Sequence, residues 1–503
     1  MFHSKNEKIM KKLFKIFFII TALTIFNSCF DELLEPVPET FMSDLSVFDS
    51  KERIESQVRG IYSSFKSGSY LGGRFQVYND IRGDDFLNLQ SNGVTGYQTW
   101  SHNVDHQSTE VITLWRSIYI AINRVNLFID GLEDNKDKIL TEEILTQEEF
   151  NQYKGESLGL RAIAYHNLIQ LYAQPFNKDP QAWGAILRLT GQRSSADNDM
   201  ARSTLKDTYI QILQDLDDAE TLLPTLTGNN KAEYITRVHK NTVIAFKTRV
   251  KLHMNDYAGV IEEGNKIVST AAPFSSPTGV KLSLNANFQQ IFTDYTTPES
   301  IISMPMSAVE LPGTQNGLAH YFSVSKSGMQ IGNNEYAINQ ESYLWTSGVF
   351  ADNDARVQLV DSVTLQGNDR IFIKKYQNSP HSDWAPVMRY AEVLLNLAEA
   401  EARVNGFGDA SRAVALLNAV YLRSNPSAPA LSGFTTIDAF ITRLMLERNM
   451  EFLGEGLKNM DIQRTLGTHR AKDNVEAVGP DNPKYVWPIS QEEINTNQLV
   501  QPN

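Results

Sequence analysis

The sequence predicts a mainly α-helical protein, with tetratricopeptide-like helical hairpins forming a scaffold and a loop-rich insertion containing short β elements. Three observations predict it. Apolar residues recur at three- and four-residue spacing in one segment after another. Two stretches have the layout of a helix–turn–helix unit of about 34 residues. Between about Pro273 and Ser382 the helical period stops, and short β-prone runs stand among Gly, Pro, Ser and Asn clusters. The 503 residues are 42% hydrophobic and 21% charged, a globular profile that excludes wholesale disorder, collagen or a coiled coil.

Taken in order, Ile54, Val58, Ile61, Tyr62 and Phe65 mark a first helix over 50–65. Residues 68–108 follow as a polar, Gly-rich, aromatic stretch without helical period. Trp115, Ile118, Tyr119, Ile122 and Val125 place a helix over 114–129. Leu158, Ala162, Tyr165, Ile169 and Tyr172 place another over 148–172, ended by Pro175. A further helix covers about 204–223 and stops at Pro224. The first hairpin pairs 241–254 with 257–269 across Asn255-Asp256; the second pairs 386–403 with 410–421 across Gly406 and Gly408. Within the insertion, Ser300–Met304 and Arg370–Ile373 read as strands.

The N-terminus reads as an export signal. Lys11, Lys12 and Lys15 precede an apolar stretch of 11 residues, Ile16–Phe26, too short to span a membrane. Met10 opens a more conventional signal than Met1 does. The stretch leads into Asn27-Ser28-Cys29, and Cys29 is the one cysteine of the chain. This resembles a bacterial lipobox, so residues 1–28 are expected to be a lipoprotein signal peptide and Cys29 the lipidated residue. Residues 29–40, with an acidic cluster at Asp31, Glu32 and Glu35 before Pro36 and Pro38, read as a tether.

Charge and composition exclude several chemistries. A net charge of −13 lacks the basic footprint that nucleic acid requires. One cysteine excludes an internal disulfide framework and a Cys-based zinc cluster. The sequence carries no phosphate loop after a strand, no nucleophile elbow and no zincin motif, and no cofactor or metal is expected. His102 and His106 read as part of a solvated loop, and Asp352-Asn353-Asp354 lacks the Gly and distal Glu of a calcium loop. Glu447, Glu451 and Glu455, every fourth residue beside Arg443 and Arg448, read as a buried or half-buried ion network. A glycoside hydrolase would need two carboxylates at a set separation, and nothing among the 59 acidic residues selects a pair.

The C-terminal third carries a resemblance. Asp354-Ala355-Arg356 and Lys375-Tyr376 precede Arg389-Tyr390-Ala391-Glu392-Val393-Leu394-Leu395-Asn396-Leu397-Ala398-Glu399-Ala400. Leu417-Asn418 with Arg423 follow, then Glu447-Arg448-Asn449-Met450-Glu451-Phe452 and Gly454-Glu455-Gly456. Asp461-Ile462-Gln463-Arg464, Trp487-Pro488-Ile489, Asn497 and Gln501-Pro502-Asn503 close the series. In this order, together with Trp115, Tyr119, Asn123, Arg161 and Tyr165 earlier, the segments resemble the SusD/RagB family of outer-membrane nutrient-binding lipoproteins. Asn449 stands where that family often has Arg. Read as residues alone, Arg389, Glu392 and Glu399 can pair along a helix while Tyr390, Val393, Leu394 and Leu397 face the core.

The resemblance implies one domain over 41–503, with helical repeats over about 41–270 and 386–470 and the insertion at about 273–382. It implies four tetratricopeptide-like hairpins and a non-enzymatic function. Such proteins sit on the outer membrane's extracellular face, capture an oligosaccharide, and deliver it to a SusC-like TonB-dependent transporter. The alternatives are a peptide-binding RagB-like lipoprotein, a glycoside hydrolase, or a helical scaffold that binds proteins only.

A glycan site needs exposed aromatic faces beside planar polar groups. The 68–108 stretch offers Tyr70, Tyr97 and Trp100 with Asp80, Arg82, Asp84, Asp85, His102 and Asn103, where the family commonly places ligand-contacting loops. Trp100 and Tyr97, among Gly96, Gln98, Thr99 and Ser101, are expected to be exposed and to lead the binding surface. Tyr321, Tyr343 and Trp345 are weaker candidates for an opposite wall.

Overall fold

The helices that the apolar spacing places are present, and several begin on a side chain that accepts a hydrogen bond from their first turn. A computed structural model describes residues 46–196, 198–326, 329, 331–350 and 353–503. The signal segment, Cys29, the tether and Asp352 lie outside the described residues. In chain order the helices are α1 (Lys51–Phe65), α2 (Arg74–Ile81), α3 (Tyr97–Trp100), α4 (Thr109–Asp134), α5 (Lys136–Thr141) and α6 (Gln147–Tyr172). Next come α7 (Leu205–Leu222), α8 (Ala232–Ile235), α9 (Lys240–His253), α10 (Tyr257–Ile267), α11 (Leu318–Phe322) and α12 (Tyr343–Thr346). The last are α13 (Tyr390–Val404), α14 (Arg412–Ser424), α15 (Ile437–Glu451), α16 (Lys458–Arg464) and α17 (Gln491–Thr496). Residues up to Ile54 group apart from the rest; those described form a 3₁₀ turn, Val47–Asp49, and the opening of α1.

Capping fixes the boundaries. Thr146 and Glu149 form a reciprocal capping box at α6, and Thr204, Asp256 and Ser411 accept from the first turns of α7, α10 and α14. The long helices stack in series: α4 on α6, α6 on α7, α7 on α9, α9 on α10, α10 on α13, and α13 on α14 and α15. Buried arginine–carboxylate pairs register this stack. Arg161 of α6 makes a bidentate pair with Asp215 of α7, at 2.7 Å for both contacts. Arg249 of α9 does the same to Glu392 of α13 at 2.6 Å. Such forks fix angle as well as contact. Glu392 therefore pairs across helices and not along its own, while Glu399 does both, to Arg403 at 3.0 Å and to Arg464 at 2.7 Å.

Eight short strands, β1 (Phe86–Asn88), β2 (Gly228–Asn229), β3 (Val280–Lys281), β4 (Ser300–Met304), β5 (Tyr336–Ile338), β6 (Val360–Leu365), β7 (Asn368–Ile373) and β8 (Ala385–Arg389), form four two-stranded sheets among the described residues. The β4–β8 pair corrects one expectation. Pro386–Arg389, expected as the first turn of a helix, is a strand that ties the insertion back to the stack, and α13 starts only at Tyr390. Proline's missing N–H suits that position. The insertion also contains α11 and α12.

The 68–108 stretch holds structure that the periodicity did not show. All eight residues of α2 are buried, between α16 and α11, and a helix buried on every side carries no amphipathic stripe. Contact there is close enough to require glycine. A Cβ on Gly456, whose φ is +86°, would lie 2.5 Å from the Cα of Gln76.

The expected ion network is present and larger than the three glutamates. Glu451 accepts from Arg389 at 3.0 Å and Arg356 at 3.3 Å, and also from Arg423. Glu455 accepts from Arg389 and Lys375, both at 2.7 Å. Asp354, Glu299 and Glu447 complete it, with Arg443 at 2.8 Å from Glu447. Arg448 stays outside, bonded to Asp461 and Asn396. Burial alone would raise the Glu451 carboxyl, but the three guanidinium groups outweigh it and hold it well below the usual carboxylate range.

Histidines are buried too, and this sets a pH dependence. Burial pulls His239 down to about 4. Its charged form is thus favoured in the unfolded chain, whose histidine titrates near 6.5. The resulting stability is present above pH 6.5 and lost as pH falls toward 4. Between pH 7 and 5 that amounts to about 2 kcal/mol from this residue. In urea titrations at the two pH values, His239→Gln is expected to lose less stability on acidification than the natural chain by that margin. An equal pH dependence would remove His239 from the account.

Candidate functional site

Most of the residues singled out between 68 and 108 face inward. Trp100, expected to be exposed, is 2% exposed; its Nε1 donates to the Phe86 carbonyl at 2.8 Å and its ring stacks on half-buried Tyr97. The polar residues around it are satisfied internally. The Thr99 and Gln98 amides donate to the buried Glu110 carboxylate at 2.8 and 3.2 Å, so their polarity marks a hydrogen-bonded interior and not a surface. Tyr70 is fully buried and accepts from Asn167. Asp80, pushed up to about 7 by burial, accepts from the Lys458 amide at 3.3 Å. Arg82 donates to Asn459 at 2.9 Å and to the Tyr485 carbonyl at 2.7 Å. His102 packs against His469 with ring centres 5.1 Å apart, and burial holds it far below its ordinary pKa. Asn103 alone of the set is exposed, accepting from Lys484. Tyr321 is also interior.

Asp84 and Asp85 lead to the surface. Lys458 of α16 lies 3.2 Å from Asp84 and 2.8 Å from Asp85. Asp84 also accepts from the Tyr343 amide at 3.1 Å, and Asp85 from Asn449 of α15 at 3.2 Å. Burial raises Asp85, while at Asp84 the Lys458 charge and the Tyr343 amide outweigh burial and lower it. The two carboxylates thus sit behind a cleft of about 410 Å³ and hold its wall in place. That cleft is lined by Tyr343 of α12, by Ile441, Met445, Leu446 and Asn449 of α15, by Lys458 and Ile462 of α16, and by Thr468 and Arg470.

Tyr343 is 38% exposed, and the Arg470 guanidinium lies 4.3 Å from its ring centre, fixing the ring's angle. Ser342 caps α12 by accepting from the Trp345 amide, and Trp345, half-buried, packs on Phe350 at 4.7 Å. The β1–β5 pair and Asn339, which donates to the Asp84 carbonyl at 2.8 Å, carry this wall against the 68–108 segment. Chemically the cleft offers an aromatic ring, an aliphatic floor and a rim of amide, hydroxyl and guanidinium groups, which suits a ligand with an apolar face and hydroxyl edges.

Sequence reasoning missed Asn449, Lys458, Thr468 and Arg470. One signal pointed to the first of them, because Asn449 departs from the arginine common at that position. The others lie in segments that also build scaffold.

A family model described as starch-binding and associating with the outer membrane matches residues 34–252, and the SusD family model matches residues 370–503. A solved SusD superfamily protein from Bacteroides fragilis is 30% identical, with 90% of this chain and 100% of that one aligned at a TM-score of 0.78. The chain belongs to the SusD family. Its members are binding proteins and not catalysts, which sets aside the hydrolase alternative. A protein described as a laminarin-binding SusD-like protein shares the fold at 18% identity and a TM-score of 0.70, over 90% of this chain and 99% of that one. The SusD-like protein P25 of Formosa agariphila is 26% identical over 179 residues, a match spanning about a third of its length (32%) and 33% of this chain.

In this SusD family chain the shared motifs are largely scaffold. The Trp487 amide donates to the Leu171 carbonyl at 2.7 Å and its ring packs on Tyr78 and Tyr172. Asn497 exchanges hydrogen bonds with the Met200 backbone, which ties Met200 to the chain end.

Proposed function

We propose that the protein is a cell-surface lipoprotein of the outer membrane that captures an oligosaccharide in the Tyr343 cleft and delivers it to a SusC-like TonB-dependent transporter. The observation that carries the reading is the partly exposed Tyr343 ring, fixed by Arg470 and flanked by Asn449 and Thr468, in a cleft large enough for sugar rings. The laminarin-binding relative and the starch-binding family description support the ligand class. Replacing Tyr343 with alanine is expected to cost about 1–3 kcal/mol of binding to laminarin- or starch-derived oligosaccharides, on the scale of an aromatic anchor. Its thermal midpoint should stay near that of the natural chain. Unchanged affinity would move the site elsewhere.

Arg470 favours a second reading, because it stacks on Tyr343, makes no ion pair among the described residues and could receive a carboxylate of a peptide. Tighter binding of an acidic peptide than of any neutral oligosaccharide, lost in Arg470→Gln, would select it.

Anchoring rests on Cys29. Cys29→Ser is expected to release the protein from washed outer membranes into the soluble fraction, since one lipidated residue is the attachment proposed. Retention of the variant would point to the transporter as a second attachment.

A further inference from the structure

A second cavity, of about 620 Å³, opens between α1, α6, the segment around α8 and the turn after β4. Its size is that of ligand sites, and it shares no lining residue with the Tyr343 cleft. We propose that this cavity is a separate binding site for a neutral carbohydrate segment.

The charges in its wall are already matched. Lys66 lies 2.6 Å from Glu310, Arg237 2.8 Å from Glu156, and Arg59 3.6 Å from Glu55, while Glu233 pairs with Lys231. His239 is uncharged at neutral pH because burial holds it at about 4. A phosphate or carboxylate would enter as an unmatched charge. An apolar ligand is disfavoured for a different reason. The Arg237 side chain is 35% exposed at the wall, and an apolar group placed against it would strip water from the guanidinium and offer no acceptor in return.

A hydroxyl ligand meets both conditions. Glu156 accepts from the Tyr62 hydroxyl at 2.8 Å and from Gln152 at 3.0 Å, and the Tyr62 oxygen accepts from the Val238 amide at 2.8 Å. The Arg237 guanidinium lies 5.8 Å from the Tyr62 ring centre and 5.6 Å from that of Tyr153. The wall is therefore a rigid edge of carboxylate, guanidinium and amide beside the Tyr62 and Tyr234 rings. Sugar hydroxyls can accept from the exposed part of the Arg237 guanidinium while the ring's C–H face packs on tyrosine.

The test titrates the full-length lipoprotein in detergent with laminarin- and starch-derived oligosaccharides by calorimetry. Two equivalents are expected to bind. Ser63, exposed at the cavity wall, is changed to Trp to fill the mouth without touching the core. Ser63→Trp is expected to remove one equivalent, and Tyr234→Ala to weaken the same one by at least about tenfold. Loss confined to Tyr343→Ala, with Ser63→Trp and Tyr234→Ala both unchanged, overturns the second site and leaves the first standing. Loss confined to Ser63→Trp and Tyr234→Ala keeps the second site and removes the first. Absence of binding in the natural chain overturns both.

Discussion

Glu451→Ala is expected to lower stability by about 3–5 kcal/mol, the cost of leaving buried charge without its partner. Glu451 is fully buried and receives Arg389, Arg356 and Arg423, which come from the end of β8, the insertion and the end of α14. Removing the carboxylate leaves three guanidinium groups facing one another across a low-dielectric interior, with Glu299, Glu447, Glu455 and Asp354 only partly compensating. Glu451→Gln keeps the volume and loses the charge, so it should recover little. The contrast is Asp481→Ala at the exposed Lys178–Asp481 pair, expected to change stability by less than about 1 kcal/mol. Chemical denaturation of the three variants decides the matter. A loss below about 1 kcal/mol for Glu451→Ala would mean the network is tolerated and not required.

Trp100→Ala is the second large effect, and it is an effect on folding. The indole is enclosed, its N–H satisfied by the Phe86 carbonyl, and the Lys472 ammonium lies 5.4 Å from its ring centre while donating to the Gly83 carbonyl at 2.6 Å. Truncation opens a large cavity and orphans the Phe86 carbonyl, for a loss of about 3–5 kcal/mol. Oligosaccharide affinity of the surviving folded fraction should be nearly that of the natural chain. A variant with full stability and lost binding would return Trp100 to the ligand surface.

The two predictions show where the sequence was transparent and where it was not. Helices α7 and α10 keep a solvated face, so their spacing could be read directly. Helix α6 is buried throughout from Gly155 to Tyr172, but it is long and ends clearly before Pro175, whereas α2 is only eight residues long. Helix α2 could not be read, because residues buried on all sides follow no period. Trp100 misled for a related reason. Gln98 and Thr99 are polar because Glu110 takes their amides, and a sequence shows polarity without showing where it is satisfied. Tyr343 was legible as an aromatic in the insertion, but its partner Arg470 lies 127 positions later, and no local pattern joins them. The glutamates at 447, 451 and 455 were legible as a network from their four-residue spacing, although only Glu447 and Glu451 lie on α15; Glu455 comes after the helix end and joins the network from the turn beyond Gly454.

The juxtaposition of α10 and α13 has a consequence for how this chain can diverge. The two helices pack directly, yet the chain between Ile267 and Tyr390 travels out through the whole insertion, including α12 and Tyr343, before returning. Closing such an excursion costs entropy that grows only with the logarithm of its length, so doubling it adds about 0.6 kcal/mol. Lengthening, shortening or exchanging that segment is therefore thermodynamically mild, provided the β4–β8 return and the Arg356 and Lys375 contacts survive. One wall of the proposed binding cleft can drift at little cost, while the opposite wall, built from α15 and α16, is bound to the arginine–glutamate interior and must stay as it is.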